Sequence, residues 1–240
     1  MSSAYGDPYD VIPVVEAEES ARIAYMRQLG IYTFGSLVIT GIAAVLMMGA
    51  LDSIPALRGR IPSLVIMLGG IYGAQFVGNS LTLSPNAGTR WMGYLVAPAL
   101  AGAALSYLLY IAVAVGAQSG NPLEIIGQAG ALTGLTVFGM VAYLLSGPRQ
   151  LNFLAAGLSM LFLPMLGLMA LTVVFPVGGV FGMIISAVFV VVSAAGLLYT
   201  LNQVLHEYST DMVLPGATRV AIGIVVVFWN ILSLILSSRD

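Results

Sequence analysis

The residues best suited to chemistry lie near the end of the sixth apolar stretch and within the seventh. Four polar side chains there share one helical face, because they recur at spacings of three, four and seven residues. They are Tyr199, Asn202, Gln203 and His206. We expect this face to point inward. Asn230 lies deep in the seventh stretch, where an unpaired amide in hydrocarbon is costly, so we expect it to bond to the sixth.

Two interpretations of these polar residues stay open. In the first they are interhelical hydrogen bonds, each contributing about 1 kcal/mol to helix association. In the second they form a polar track or gate for a cation or a proton. The residues of this candidate gate are Tyr199, Thr200, Asn202, Gln203 and Asn230.

Charged residues cluster around the connection between the sixth and seventh stretches. The candidates for a pH response are His206, Glu207, Asp211 and Arg219. Histidine is the side chain whose charge ordinarily changes between about pH 5 and 8, and His206 is the only one in the chain. The alternative is an interfacial histidine that is hydrogen-bonded near Glu207.

The composition excludes several kinds of chemistry. The chain has no cysteine and one histidine, which removes disulfides, thiolate metal sites and multi-histidine metal sites. No grouping of Ser, His and Asp matches a catalytic motif. A net charge of −2 without any lysine gives no basic surface for nucleic acid. We therefore expect no enzyme activity, metal site, cofactor or nucleic-acid partner.

Hydropathy defines the fold class. Hydrophobic residues make up 59% of the chain and charged residues 8%, against about 25% in soluble domains, and the mean hydropathy is +1.00. Seven apolar runs have the roughly 20 residues needed for one helical crossing. They are 29–51, 61–80, 92–116, 123–146, 153–175, 177–204 and 216–237. Membrane-barrel strands are about half this length. The sequence therefore predicts an all-α polytopic membrane protein with seven transmembrane helices in one bundle.

The chain divides into a polar tail and a membrane domain. Residues 1–28 are acidic and predicted to be a flexible tail, of which 20–28 extend the first helix, while 29–237 form the transmembrane domain. Five arginines lie on the side of the amino terminus and three on the other. The positive-inside rule then places the amino terminus in the cytoplasm. Short loops and the lack of a targeting sequence favour a bacterial inner membrane.

Several segments match one family pattern. The strings GQAGALTGLTVFGM and LSGPRQLNFLAAGLSM are similar to the fourth helix, and to the loop into the fifth, of the Bax inhibitor-1 family. AGLLYTLNQVLH resembles the sixth helix of that family and FWNILSLIL the end of the seventh, while ARIAYMRQLGIYTFGSLVITGIAAVL fits the first. The resemblance implies seven helices and a calcium leak with a pH-sensitive switch.

The chain departs from the family at two positions. Family members place an Asp after the Tyr of helix six and another shortly before the Asn of helix seven, whereas this chain has Thr200 and Val227 there. Two facing carboxylates can share a proton, which Thr and Val cannot do. Calcium also favours carboxylate ligands, so no dedicated calcium site is expected. Restoring both acids should introduce a titration between about pH 5 and 8.

Three functions remain in competition. The first is a cation leak channel, for Ca²⁺ or another cation in transit, without the paired aspartates of the family. The second is a non-conducting modulator that binds other membrane proteins, such as a membrane protease or a stress-response factor. The third is a transporter of an uncharged solute with a site near Gln75, Asn79 or Gln128. The lipid bilayer is a partner in all three.

Overall fold

We analysed the protein as a computed structural model, which describes residues 12–145, 151, 153, 154, 156–161 and 179–239. Its helices are α1 Glu19–Ser53, α2 Arg60–Thr82, α3 Ala87–Gln118, α4 Glu124–Leu145, α5 (the helical residues 153, 154 and 156–161), α6 Gly179–His206 and α7 Val213–Ser237. All except α5 are long and apolar enough to cross a membrane. The all-α fold class is confirmed, and most of the fifth predicted span, 153–175, lies outside the described residues.

Helix α7 forms the centre of the bundle. It packs against α1, α2, α3, α4 and α6. Its buried residues point in several directions, as expected of a helix with neighbours on most sides. The other described helices keep broad apolar faces exposed, which suits contact with lipid. The last helix of the chain therefore organises the core.

Two contacts place Val14 and Arg239 at opposite ends of the bundle. The Val14 N–H donates to the carbonyl of Tyr208, just before α7, at 2.9 Å. Arg239, just after α7, forms an ion pair with Glu124 at 2.8 Å. We call these the amino-terminal end and the carboxyl-terminal end. Between Val14 and Arg239 the chain therefore crosses the bundle an odd number of times, which agrees with the seven predicted spans.

Close helix crossings rely on small residues. Ala97 and Ala101, whose four-residue spacing in the sequence predicts a packing face, are fully buried between α3 and its neighbours. A Cβ added to Gly70 of α2 would lie 2.7 Å from both the Ala104 Cβ and the Leu100 carbonyl oxygen of α3. Thr40 of α1 donates a hydrogen bond to the Pro98 carbonyl at 3.1 Å. Helix α3 thus packs closely against both α1 and α2.

Residues 13–17, which we call the amino-terminal strap, cover the connection between α6 and α7. Val14 is 0% exposed and belongs to the same apolar cluster as Tyr25, Leu201 and Val213. A short 3-10 turn over Val14–Glu16 directs this side chain inward. The predicted division at residue 28 stays a prediction for residues 1–11, which lie outside the described part. The structure adds an ordered contact ahead of α1.

Replacing Val14 by Ala should loosen the strap. The change removes two buried carbons, and the lost burial corresponds to about 1 to 2 kcal/mol. The melting temperature in detergent should therefore fall. Ile12→Ala is the matched control, because Ile12 is 61% exposed and its truncation should leave the melting temperature unchanged. Equal effects of both substitutions would contradict the packing role of Val14.

Candidate functional site

Asn202 is buried and joins α6 to the segment before α5. Its side chain is 4% exposed, and Oδ1 accepts a hydrogen bond from the backbone N–H of Leu151 at 3.2 Å. An amide oxygen in this position satisfies a backbone donor that would otherwise be unpaired in an apolar setting. Asn202 thus has an inward-facing structural role.

Three further polar residues near the end of α6 bond locally along the chain. Thr200 Oγ1 donates to the Gly196 carbonyl at 2.9 Å. Gln203 Nε2 donates to Glu207 Oε2 at 2.6 Å, and His206 Nδ1 lies 3.0 Å from the Asn202 carbonyl. Gln203 and Tyr199 are half-buried. These contacts satisfy the polar atoms locally and make no bridge to α7.

The charged residues near the α6–α7 connection do not form one network. Arg219 Nη1 donates to the hydroxyl of Tyr208 at 2.9 Å, whereas Glu207 and Asp211 are exposed. Within the described ranges, the ion pairs are Arg58 with Asp52 and Arg239 with Glu124, both at the carboxyl-terminal end. The guanidinium of Arg219 is therefore held by a neutral phenol.

Asn230 does not meet Asn202, so the predicted bond from Asn230 to the sixth helix is wrong. Its Nδ2 donates to the Val226 carbonyl of α7 itself at 2.9 Å. Helices α6 and α7 run antiparallel, since Leu197 lies against Gly223 and Val204 against Gly216. This register brings Asn202 level with the first turns of α7. Asn230 lies at least two turns further towards the carboxyl-terminal end.

Asn230 instead lines a cavity in the carboxyl-terminal half of the bundle. The cavity has a volume of about 430 Å³ and lies between α2, α6 and α7. The polar or amphipathic residues in its wall are Tyr72, Ser186, Trp229, Asn230, Ser233 and Ser237. The apolar wall includes Leu68, Ile185 and Phe189. Helices α2 and α6 do not contact each other, and among the described helices α7 joins them on one side of the cavity.

Part of this polar wall is already paired and part is free. The Ser186 and Ser237 hydroxyls lie 3.3 Å apart, and Ser237 Oγ donates to the Ser233 carbonyl. Within the described part of the chain, Asn230 Oδ1 and the Ser233 hydroxyl have no hydrogen-bond partner. The same is true of the Trp229 indole N–H. The wall therefore offers an amide oxygen, a hydroxyl and an indole donor.

A second polar crevice lies at the amino-terminal end of the same helix pair. Gln75, Asn79 and Thr82 follow Tyr72 along one face of α2, and the first two line this crevice with Thr218 of α7. Thr218 is 1% exposed, and its hydroxyl has no partner in the described structure. The crevice has no room for a water molecule. A row of polar residues joins the crevice to the cavity, and we call it the α2–α7 seam. It consists of Tyr72, Gln75, Asn79 and Thr82 on α2 and of Thr218, Asn230 and Ser233 on α7.

The sequence indicates the residues on each side of this seam, but not that the two sides face each other. The spacing of Asn230, Ser233 and Ser237 shows that they share one face of α7, and Gln75 and Asn79 had been singled out on α2. The helix opposite Asn230 was misassigned to α6 alone. Side-chain periodicity gives the face of one helix, but it does not identify the helix that this face meets.

Fold and site together define a polytopic all-α membrane protein with a central final helix and a neutral polar seam. The chain belongs to the Bax1-I family, described as inhibitor of apoptosis-promoting Bax1, whose model matches residues 22–240. This confirms the family resemblance.

Two bacterial relatives are similar over part of the chain. The uncharacterized protein PA2604 of Pseudomonas aeruginosa is 29% identical over 156 residues, which cover 62% of this chain and 64% of the relative. The uncharacterized protein PM0402 of Pasteurella multocida is 29% identical over 158 residues, covering 63% and 65%. The match spans slightly less than two thirds of either relative.

Proposed function

We propose that the protein is a slow cation leak pathway along the α2–α7 seam. The observation that carries this proposal is the asymmetry of the seam, with a 430 Å³ cavity at one end and a closed polar crevice at the other. Hydroxyl and amide oxygens can replace part of the hydration shell of an ion. Because the described wall of the cavity holds no carboxylate, binding should be weak and selectivity between Ca²⁺ and monovalent cations low.

Arg219 opposes cations at the closed end. Its guanidinium lies beside the crevice lined by Thr218, Asn79 and Gln75, and its bonded partner is the Tyr208 hydroxyl. Among the described residues no carboxylate forms an ion pair with Arg219, and such a positive charge raises the barrier for a cation in a low-dielectric site. The pathway is therefore closed at rest, and the leak is slow.

We also propose an orientation and a membrane. Arg22, Arg27, Arg90 and Arg219 occupy the amino-terminal end. Two of the three arginines at the other end, Arg58 and Arg239, are paired with acids. This distribution supports a cytoplasmic amino terminus under the positive-inside rule. The bacterial origin of both relatives supports an inner membrane.

Flux through proteoliposomes tests the pathway. Arg219→Gln should raise K⁺ and Ca²⁺ flux several-fold, because it removes the opposing charge while keeping a hydrogen-bonding side chain. Asn230→Leu should lower the flux by replacing a cavity amide with an apolar group. Ser193→Ala is the control, since the Ser193 hydroxyl donates to Val190 of its own helix and Ser193 does not line the cavity.

The leak proposal fails if folded parent protein and folded Arg219→Gln protein both show no flux above empty liposomes. A non-conducting modulator would then be the remaining family-like function. Crosslinking in native membranes, read by mass spectrometry, should in that case recover a membrane protein in fixed stoichiometry.

A further inference from the structure

The cavity between α2, α6 and α7 has the size and chemistry of a ligand site. Its 430 Å³ falls in the range of about 300 to 1,000 Å³ that is typical of small-molecule pockets, towards the lower limit. Such pockets combine an apolar lining with a few placed polar groups, and this lining has both. A site of this size accommodates one alkyl chain with a small head group more readily than a two-chain phospholipid.

The side walls indicate how a ligand enters. Met67 and Leu68 of α2 face Ile185 and Phe189 of α6 across a gap between these two helices that no described helix other than α7 lines. All four side chains are apolar and lie within the membrane-spanning parts of their helices. A gap with such walls admits hydrocarbon more readily than water or ions.

The α7 residues in the cavity wall determine which lipid head group can bind. Asn230 Oδ1, the Ser233 hydroxyl and the Trp229 indole N–H lack partners within the described residues, so the site supplies both an acceptor and donors. No residue in the described wall is charged. A phosphate or carboxylate head at this depth would lose its hydration without a compensating cation, at a cost of several kcal/mol. Hydroxyl groups match the free donors and acceptor without that penalty.

We propose that this cavity binds an uncharged single-chain lipid of the monoacylglycerol type. The chain lies between α2 and α6, and the hydroxyl head bonds to Asn230 and Ser233 on α7. This assignment goes beyond the leak proposal and does not depend on it, because a lipid can occupy the cavity whether or not ions cross the seam.

Tryptophan fluorescence provides a direct test, because the chain has only two tryptophans. Trp229 lines the cavity, whereas Trp91 lies at the start of α3 at the amino-terminal end and is exposed. A Trp91→Phe protein reports on the cavity, and a Trp229→Phe protein reports on bulk lipid. Both are reconstituted in phosphatidylcholine vesicles and titrated with brominated monoacylglycerol, brominated fatty acid or brominated phosphatidylcholine.

The expected result is saturable quenching of Trp229 by brominated monoacylglycerol at a mole fraction that barely affects Trp91. Ser233→Ala in the Trp91→Phe background should raise the half-saturating mole fraction several-fold, and Asn230→Leu should raise it further. Ser193→Ala, the same chemical change away from the cavity, should leave it unchanged. Unlabelled monoacylglycerol should reverse the quenching.

Three results would overturn the assignment. Quenching that is linear and equal for all three brominated lipids would mean that Trp229 senses bulk lipid only. Stronger saturable quenching by the fatty acid than by monoacylglycerol would contradict the uncharged head group. If Ser233→Ala keeps the thermal stability of the parent but does not change the half-saturating mole fraction, recognition of the head group by the α7 residues is contradicted. None of these readouts involves ion flux, so the lipid site and the leak are tested separately.

Discussion

Gly102→Val is expected to be among the most destabilising single substitutions in this protein. A Cβ at Gly102 of α3 would collide with the Thr40 carbonyl oxygen of α1 and lie 2.9 Å from the Ala43 Cβ. Backbone cannot move aside as a flexible side chain can, so the two helices must separate. Overpacking of this kind costs about 1 to 3 kcal/mol or more, and the bond from Thr40 to Pro98 adds about 1 kcal/mol when lost.

Thermal unfolding in detergent micelles measures this effect as a large fall in melting temperature. Gly41→Val on α1 is the matched control, because a Cβ at Gly41 meets no described atom within 4 Å. Its expected effect is small, since valine and glycine differ little in helix propensity compared with a steric clash. Similar melting temperatures for the two variants would show that α1 and α3 do not cross closely at Gly102.

Val227→Asp is expected to cost several kcal/mol and to make stability depend on pH. Val227 is 0% exposed in the core around α7. An isolated carboxylate there is far less stable than the neutral acid, so the folded protein holds the proton while the unfolded chain releases it above about pH 4. Folding then takes up a proton, and stability falls as the pH rises. The deficit in melting temperature relative to the parent should therefore be larger at pH 8 than at pH 5.

The double variant Thr200→Asp, Val227→Asp tests how far apart the two positions are. The α6–α7 register places Thr200 level with Val220, about 10 Å along the axis from Val227. At that separation the two substitutions should destabilise nearly additively. A double variant that is clearly more stable than this sum would show that the carboxyls share a proton. It would contradict the register derived from Leu197 with Gly223 and Val204 with Gly216.

Hydropathy was sufficient to predict the six membrane-crossing helices that the structure describes, and most of the fifth predicted span lies outside the described residues. Span length depends on bilayer thickness and leaves little freedom, so α2, α4 and α7 begin and end within a few residues of the predicted bounds. Helices α1 and α3 extend beyond their predicted spans, because polar turns outside hydrocarbon remain helical without contributing to an apolar run. Hydropathy does not detect such extensions.

Small residues recur at four-residue spacing in Gly69 with Gly73, Ala97 with Ala101 and Gly130 with Gly134, and this spacing predicts packing faces. These predictions are less reliable than those from hydropathy. Ala97 and Ala101 do face neighbouring helices, but on α2 it is Gly70, between the predicted Gly69 and Gly73, that meets α3 most closely. A Cβ at Gly130 or Gly134 of α4 would meet no described atom within 4 Å. Small residues permit close approach, yet the choice of the approaching face depends on how the whole bundle is arranged.

The candidate gate illustrates the limit of periodicity. Tyr199, Asn202, Gln203 and His206 share a face as expected, but the partner of Asn202 is the backbone N–H of Leu151, a donor that every non-proline residue carries. No pattern of side chains could have indicated it. The seam between α2 and α7 became visible only when the register of each helix was known.

The central position of α7 bears on how the protein is made. Ribosomes synthesise α7 after the other described helices, so these helices emerge before the element that joins them exists. Until then the polar faces of α2 and α6 lack their final neighbour, and polar groups that lack a partner in lipid are costly. The Arg239–Glu124 ion pair forms only after Arg239 has left the exit tunnel, so this contact between α4 and the end of α7 forms late in the assembly of the described helices.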